Sequence, residues 1–284
     1  MIRQKSFENE SSCLYLVATP IGNLSEMSPR AIEVLKSVDV IAAEDTRNTM
    51  KLLRAFEIRT HCIAHHSYNE TESSEGILNL LRSGKNVAIV TDAGYPLISD
   101  PGQVLVQLAA KEGFNVIPIS GSNAALAALV ASGLCAQPFM FYGFLPVKEN
   151  DCLHKLEELR KVPVTLIFYE APHRIEKMLK RCLEVLGDRN ATLARELTKK
   201  HEEFLRGTLS ELIEVASDLK GEMVVVVEGA KIEEEVNMSM DELLEEVEHF
   251  IHEGYRVKEA IKETAQKFNV SKNELYAAYH QNHK

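Results

Sequence analysis

The feature that most constrains this fold is a regular alternation of short apolar runs with amphipathic segments, which continues from residue 13 to about residue 230. Several apolar runs are continuous stretches of Val, Ile and Leu, as expected for strands buried on both faces. The segments between them are helix-like. Since strands that alternate with helices build a largely parallel sheet, the pattern predicts an α/β fold.

Eight strands and seven helices follow from this pattern. The strands are predicted at residues 13–18, 38–43, 86–90, 115–119, 139–143, 164–169, 192–195 and 223–227. The helices are predicted near residues 28–36, 46–56, 70–83, 102–112, 123–132, 172–186 and 208–219. Because eight strands fit two sheets better than one, we expect an N-terminal α/β lobe at 1–118 and a C-terminal α/β lobe at 119–230.

The chain beyond Gly229 has no strand pattern, and we expect residues 231–284 to form an acidic connector and a small all-helical tail. Residues 231–253 hold one basic and nine acidic side chains, whereas residues 254–284 hold six basic and three acidic ones. Ser271 with Glu274 has the sequence of a capping box. Two short helices joined by a tight turn resemble a helix-turn-helix, and a helical hairpin packed on the core is an equal alternative.

Overall composition limits the class of protein. An apolar content of 45% with 26% charged residues is typical of a soluble globular chain, and no apolar run approaches the length that spans a bilayer. A net charge of −10 argues against indiscriminate binding of nucleic acid by bulk charge. Five cysteines, without a C-x-x-C pair, predict free thiols in a reducing cytoplasm.

The motifs of several common cofactor sites are missing from the sequence. No G-x-G-x-x-G follows a strand and no G-x-x-x-x-G-K-[ST] occurs, which excludes the usual phosphate loops of dinucleotide-binding and P-loop enzymes. No H-E-x-x-H or cysteine cluster occurs either, so we expect no metal site.

Polar and glycine-rich loops follow many of the predicted strands instead. Ligands of open α/β sheets bind at the carboxyl ends of the strands, where such loops meet at one rim. Glycine permits a close approach of the backbone to a ligand. Each loop taken singly is better explained as a turn, and it is their convergence on one rim that indicates a ligand site. The loops are residues 19–24, 44–47, 92–96, 100–102, 120–123 and 170–174.

Seven sequence strings in these loops and strands carry a resemblance. In chain order they are LYLVATPIGNL, IAAEDTR, VTDAGYPLISDPG, FYGFLP, TLIFYEAPHR, ARELTKKHEE and GEMVVVVEG. Through them the chain resembles the bacterial ribosomal RNA small subunit methyltransferase I family, which belongs to the tetrapyrrole methylase superfamily. TPIGNL, EDTR and YEAPHR separate this family from the corrin and sirohaem members. The helical tail also resembles the C-terminal extension of the family.

The resemblance implies a two-lobed tetrapyrrole-methylase-like fold that binds S-adenosyl-L-methionine between the lobes and forms a homodimer. It implies 2′-O-methylation of a cytidine ribose in the decoding region of 16S rRNA in the small ribosomal subunit. It also implies which residues line the cofactor cleft. These are Thr19, Pro20, Gly22, Asp92, Ala93, Gly94, Tyr95, Ser120, Gly121, Ser122, Asn123 and Ala124. The chain departs from the family at Tyr95, where threonine is usual, and at residues 120–122, where residues of proline–glycine type are usual.

The implied chemistry is an in-line displacement that needs no metal, and a general base would help to remove the proton of the ribose hydroxyl. Asp45 is the first candidate for this base, followed by Glu170 and His66. Arg47 would orient Asp45 or hold a phosphate. The alternative for Asp45 and Arg47 is an ion pair that satisfies itself at the start of a helix, where acidic residues are favourable.

Basic side chains on three segments are candidates for contacts with RNA phosphates, and a solvated surface is the alternative for each segment. Phosphate contacts would make binding fall steeply with salt. The leading candidates are Arg174, Lys177, Lys199, Lys200, Arg256 and Lys258.

Two other functions are compatible with the sequence. One is methylation of a tetrapyrrole or another small molecule on the same fold. The other is a cofactor-sensing regulator whose helix-turn-helix binds DNA, although the acidic stretch 231–253 and the lack of a strongly basic recognition helix count against it.

Overall fold

The chain forms two compact units, Met1–Ala230 and Lys231–Lys284, in a computed structural model. The structure describes residues 3–6, 8, 11–66, 70–231, 238–268 and 270–282. Residues 232–237 of the predicted connector, and Asn269 in the turn of the predicted helix-turn-helix, therefore lie outside the described residues. Among the described residues, no helix combines the length and the apolar character that crossing a bilayer requires.

The N-terminal half of the first unit is built on a parallel sheet. Its strands are β1 (Cys13–Val17), β2 (Val40–Ala43), β3 (His61–Ala64), β4 (Val87–Val90) and β5 (Asn115–Ile119), in the order β3-β2-β4-β1-β5. The four pairings are all parallel. Every residue of β2 and β4 is buried, because helices cover both faces of the sheet. These helices are α1 (Pro29–Ser37), α2 (Thr46–Ala55), α3 (Glu70–Arg82) and α4 (Gln103–Lys111).

The C-terminal half of the first unit is built on a mixed sheet. Its strands are β6 (Phe139–Phe144), β7 (Thr165–Glu170), β8 (Asn190–Arg195), β9 (Glu203–Thr208) and β10 (Met223–Val227), in the order β6-β7-β10-β8-β9. β6 pairs with β7 in parallel, and the other pairings are antiparallel. Helix α5 (Ala124–Ser132) packs on one face, and three helices pack on the other face around Phe168. These three are α6 (Glu149–Leu159), α7 (Ile175–Leu186) and α8 (Leu209–Ala216).

The described residues of the second unit form three helices with a hydrophobic core of their own. They are α9 (Met240–His252), α10 (Val257–Lys267) and α11 (Lys272–Asn282). Val247, Ile261 and Leu275 are fully buried in this core, one from each helix. The predicted cap at Ser271 is present, since its hydroxyl accepts a hydrogen bond from the amide of Glu274 at 3.4 Å. Because α9 completes the core, the tail is a three-helix unit rather than a two-helix hairpin.

The predicted α/β class with a helical extension is confirmed. The sequence pattern misses β3 and β9, which are sheet-edge strands with half-exposed side chains and therefore lack a continuous apolar run. It also misses α6. A largely parallel arrangement is wrong for the second sheet, because helices on both faces make antiparallel strands as apolar as parallel ones. The predicted division between residues 118 and 119 falls within β5 and stays a prediction.

Candidate active site

A cavity of about 380 Å³ lies between the two sheets of the first unit. We call it the main cavity. Its volume is typical of sites that bind small molecules. The N-terminal half supplies the loop after β4, and the C-terminal half supplies the end of β7 and the start of β10. The lining residues are Ile21, Glu44, Thr91–Tyr95, Ile98–Asp100, Asn123, Ala124, Phe144, Tyr169–Pro172, Leu197 and Glu222–Val224.

Acidic side chains form much of the polar wall of the main cavity. Glu44 accepts a hydrogen bond from the hydroxyl of Thr91 at 2.7 Å. Burial raises the pKa of Asp100 against a hydrogen bond from Thr91 that lowers it, and the negative charges of Glu44 and Asp92 add to the rise. A wall with several carboxylates favours a ligand that carries positive charge.

Glu170 is the most deeply buried carboxylate of the main cavity. It ends β7, and its side chain is 1% exposed. Its Oε1 accepts a hydrogen bond from the amide of Ala171 at 2.8 Å, and its Oε2 lies 3.2 Å from Nη2 of Arg174. The same nitrogen of Arg174 donates to the carbonyl of Leu145 at 3.1 Å. Both oxygens of Glu170 are thus fixed by the protein, which holds the carboxylate in one orientation.

Two tyrosines of the main cavity accept hydrogen bonds from backbone amides near the start of α5. The Tyr95 hydroxyl accepts a hydrogen bond from the Gly121 amide at 3.3 Å, and the Tyr169 hydroxyl accepts one from the Ala125 amide at 3.2 Å. Burial raises the pKa of Tyr169, so its hydroxyl stays protonated at neutral pH. Tyr95 therefore ties the loop after β4 to the loop after β5.

The loops after β1, β4 and β5 meet where glycine allows close contact. Thr19 and Gly94 form an isolated antiparallel bridge, with N–O distances of 2.9 and 3.0 Å. A Cβ atom on Gly121 would lie 2.9 Å from Cβ of Ala18, closer than side chains approach. A Cβ on Gly22 would lie 2.6 Å from Cγ of Lys199. Gly121 and Gly22 therefore keep the three loops and the β8–β9 turn packed against one another.

A second cavity of about 230 Å³ is lined in part by the loop after β1. It shares Thr91 and Asp92 with the main cavity. The remaining lining comes from the loop after β1 and from the first turns of α2. These residues are Thr19, Pro20, Gly22, Leu24, Asn48, Thr49, Lys51 and Leu52.

The predicted cofactor residues divide between these places. Six of the twelve line the main cavity: Asp92, Ala93, Gly94, Tyr95, Asn123 and Ala124. Thr19, Pro20 and Gly22 line the second cavity, which also contains Asp92. Ser120, Gly121 and Ser122 line neither cavity. The hydroxyl of Ser122 donates to Glu26 at 2.9 Å, and the main structural contact of Gly121 is with Ala18.

Of the predicted catalytic residues, the structure brings Glu170 into the main cavity, whereas Asp45, Arg47 and His66 line neither cavity. Asp45 is the N-cap of α2 and accepts a hydrogen bond from the Arg47 amide at 2.8 Å. Nη2 of Arg47 pairs with the other carboxylate oxygen at 2.8 Å. Hydrogen bonds from Arg47 lower the pKa of Asp45 to about 2. This is the self-satisfied pair that the sequence left as the alternative.

Three of the six predicted RNA-binding cations have carboxylate partners within the chain. Arg174 pairs with Glu170, Lys177 pairs with Glu149, and Lys199 pairs with both Glu196 and Glu222. Ion pairing reduces the charge that these side chains offer to a phosphate. The other three, Lys200, Arg256 and Lys258, are exposed and have no ion pair among the described residues.

Several cavity residues escape the sequence-based selection. Glu44 and Asp100 stand in loops that the strand-end pattern marks, so a signal for them existed. No sequence signal marks Glu222 and Met223, because the pattern searches the carboxyl ends of strands and these residues lie at the N-terminal end of one. β10 runs antiparallel to β7, and its register pairs Met223 with Glu170, which brings the start of β10 to the rim of the site.

Comparison with known proteins gives a consistent family. Residues 13–213 match the sequence model of the Tetrapyrrole (Corrin/Porphyrin) Methylases. The chain is 50% identical to the ribosomal RNA small subunit methyltransferase I of Bacillus subtilis (strain 168) over 286 residues, which cover 98% of each chain. It is 44% identical to the protein of the same name from Synechocystis sp. over 266 residues, covering 93% of this chain and 95% of that one.

Solved structures share the fold at low identity. A cobalt precorrin-4 methyltransferase of cobalamin biosynthesis is 19% identical with a TM-score of 0.57, covering 76% of this chain and 94% of that one. A diphthine synthase is 14% identical with a TM-score of 0.60, covering 76% and 90%. These two establish the fold, and the full-length relatives establish the subgroup. The chain belongs to the tetrapyrrole methylase family and, within it, to the ribosomal RNA small subunit methyltransferase I proteins.

Proposed function

We propose that the chain transfers a methyl group from S-adenosyl-L-methionine to the 2′-hydroxyl of a cytidine ribose in the decoding region of 16S rRNA in the small ribosomal subunit. The observation that carries this proposal is the main cavity, where six residues of the predicted cofactor cleft meet the buried carboxylate of Glu170. The names of the full-length relatives, which specify methylation of small-subunit ribosomal RNA, support the choice of substrate.

The residues of the main cavity fit this methyl donor. The ring centroids of Phe144 and Tyr169 lie 5.7 Å apart. The two rings supply aromatic surface against which the adenine ring of the donor can pack. The carboxylates of Asp92 and Asp100 complement a cationic ligand. When bound, S-adenosyl-L-methionine supplies an electrophilic methyl group on a positively charged sulfur.

The protein would contribute orientation and removal of a proton. Holding the ribose hydroxyl in line with the methyl carbon supplies about 7–11 kcal/mol through positioning. Glu170 is the proposed base, because it is the predicted candidate that belongs to the wall of the main cavity. Its carboxylate would accept the proton of the 2′-hydroxyl, and Arg174 would hold that carboxylate in place.

Binding of RNA and self-association complete the proposal. Lys200, Arg256 and Lys258 are the predicted cations that remain exposed and unpaired in the described part of the chain, and we assign them to phosphate contacts. A homodimer is favoured by β6, an edge strand whose side chains Phe139 and Met140 are substantially exposed.

Transfer of labelled methyl groups from S-adenosyl-L-methionine tests the proposal. Small ribosomal subunits lacking the modification, naked 16S rRNA and a tetrapyrrole are offered side by side. We expect label on RNA at one cytidine whose following phosphodiester resists alkaline cleavage, because a methylated 2′-oxygen cannot attack that bond. Label on the tetrapyrrole alone would show that the protein methylates a small molecule instead of RNA. Tight binding of the donor without any methyl transfer would favour the cofactor-sensing regulator.

A further inference from the structure

The second cavity holds three of the residues predicted for the cofactor, Thr19, Pro20 and Gly22. The proposed function, however, places the donor in the main cavity. The second cavity adjoins the main cavity and shares Thr91 and Asp92 with it, so ligands in the two cavities would meet at these residues. We propose that the second cavity binds the single-stranded RNA nucleotide that receives the methyl group, with Lys51 at its phosphate and Asn48 at its polar base edge. This assignment rests on the proposed function.

A chain of hydrogen bonds connects the cation of this cavity to the junction with the main cavity. Nζ of Lys51 donates to Oδ1 of Asn48 at 3.2 Å, and Nδ2 of Asn48 donates to Oδ2 of Asp92 at 2.8 Å. The Asn48 amide thus fixes the side chain of Asp92 at the border. The same amide offers a donor and an acceptor, which is the chemistry that reads the edge of an unpaired base.

Lys51 differs from most cations near the main cavity. Arg174 and Lys199 are neutralised by glutamates, whereas Lys51 has no carboxylate partner among the described residues. It is exposed and lines the second cavity, so its ammonium can meet a phosphate at little cost. In a chain with a net charge of −10, an unpaired lysine beside the proposed reaction centre marks a local site for an anion.

The size and polarity of the second cavity select among substrates. At about 230 Å³ it has room for a base with its ribose but not for a tetrapyrrole macrocycle. A tetrapyrrole macrocycle needs a larger and more apolar cleft. A single nucleotide extruded from a strand suits a small cavity whose wall carries an amide, hydroxyl groups and a lysine.

Two variants test this assignment in the full-length protein. Lys51→Met keeps most of the apolar stem and removes the charge, and Lys111→Met is the matched control on α4, since Lys111 is exposed and lines neither cavity. We expect Lys51→Met to reduce the slope of log affinity for 16S rRNA against log salt by about 0.7, the value for one phosphate contact on a single strand. Lys111→Met should leave the slope unchanged.

Asn48→Ala should raise KM for 16S rRNA about tenfold, as expected for one hydrogen-bonded contact. Its Kd for S-adenosyl-L-methionine, measured by calorimetry, should change less than threefold, because Asp92 keeps its charge when Asn48 no longer holds it. Retained donor binding also verifies that the variant is folded. Equal RNA binding by wild type, Lys51→Met and Asn48→Ala would overturn the assignment. Weaker donor binding in Asn48→Ala with unchanged KM for RNA would overturn it too, by giving the cavity to the donor. A wild type that transfers no methyl group to RNA would instead reject the proposed function.

Discussion

Two acid–arginine pairs at strand ends look alike in sequence and differ in the structure. Asp45 and Arg47 follow β2 and are two residues apart, whereas Glu170 is the last residue of β7 and Arg174 lies four residues beyond it. The side chains of the first pair are 26% and 86% exposed, and those of the second are 1% and 25% exposed. The first pair caps a helix outside both cavities, whereas the second lies at the wall of the main cavity.

The difference shows what decides whether such a pair can take part in catalysis. Arg47 donates three hydrogen bonds to Asp45 and lowers its pKa to about 2, so this carboxylate is a poor acceptor of protons. Glu170 belongs to the wall of a volume that can hold a ligand, and its side chain is 1% exposed. A base must lie within reach of its substrate before its pKa matters. Location therefore favours Glu170 over Asp45, which reverses their order from the sequence.

The largest effect is expected for Glu170→Gln. Glutamine keeps the size of the side chain and removes the proton acceptor, so kcat should fall by about 10²-fold or more. The Kd for S-adenosyl-L-methionine should change less than threefold. Single-turnover transfer to 16S rRNA and calorimetry measure the two quantities. Glu222→Gln is the control, because Glu222 belongs to the same cavity but its side chain is 80% exposed, and it should retain kcat within threefold. Full activity of Glu170→Gln would exclude Glu170 as the base.

How the site arises from the sequence depends on strand direction. The loops after β1, β2, β4 and β5 could be predicted to converge, because parallel strands bring their carboxyl ends to one rim. That rule found Asp92 and Gly94 but not Glu222 or Met223. Direction in the second sheet is not encoded in its apolar runs, since strands covered on both faces are apolar in either direction. Residues that enter the site from the start of β10 therefore required the structure.

The ion-pair partners of the basic residues could not be predicted from the sequence either. The fold class follows from local patterns, whereas the ion pairs of Lys177 and Lys199 join residues from different elements. A count of basic residues on one helix cannot detect the glutamates that neutralise them. Lys51 illustrates the reverse case, because nothing in its local sequence distinguishes it, and its role follows from the cavity that it lines.

An intermediate effect, on stability and on donor affinity, is expected for Asp100→Asn. Asp100 is half-buried and therefore stands between Glu170 and Asp45 in burial. Burial raises the pKa of Asp100, so the folded state binds its proton more tightly than the unfolded state. The ionised group consequently destabilises the fold above that pKa, and protonation at low pH relieves the cost. The asparagine side chain of the variant carries no charge at any pH. The variant should therefore have a higher Tm than wild type at pH 7, and this advantage should disappear below about pH 4, the usual range of aspartate.

Thermal unfolding followed by circular dichroism at several pH values measures this difference, and calorimetry measures the effect on the donor. Loss of a carboxylate that complements the cationic ligand should weaken binding of S-adenosyl-L-methionine about tenfold, the size of one charge-assisted contact. A variant that is less stable than wild type at pH 7 would mean that the charge of Asp100 stabilises the fold through contacts that outweigh its burial.

The smallest effect is expected for Asp45→Asn. Asparagine is as good an N-cap as aspartate, so α2 should keep its start, and the Tm at pH 7 should fall only by the small contribution of an exposed ion pair. The lowered pKa means that Asp45 stabilises the wild type above the usual aspartate range, and that this contribution is lost as the pH falls from about 4 toward 2. The variant lacks this contribution, so its acid unfolding curve should be flatter over that interval. Turnover between pH 5 and 9 should remain within threefold of wild type, because a carboxylate with a pKa of about 2 does not titrate there. A large loss of kcat with unchanged donor binding would restore Asp45 as the base, and would mean that α2 moves its first turn into the main cavity when RNA binds.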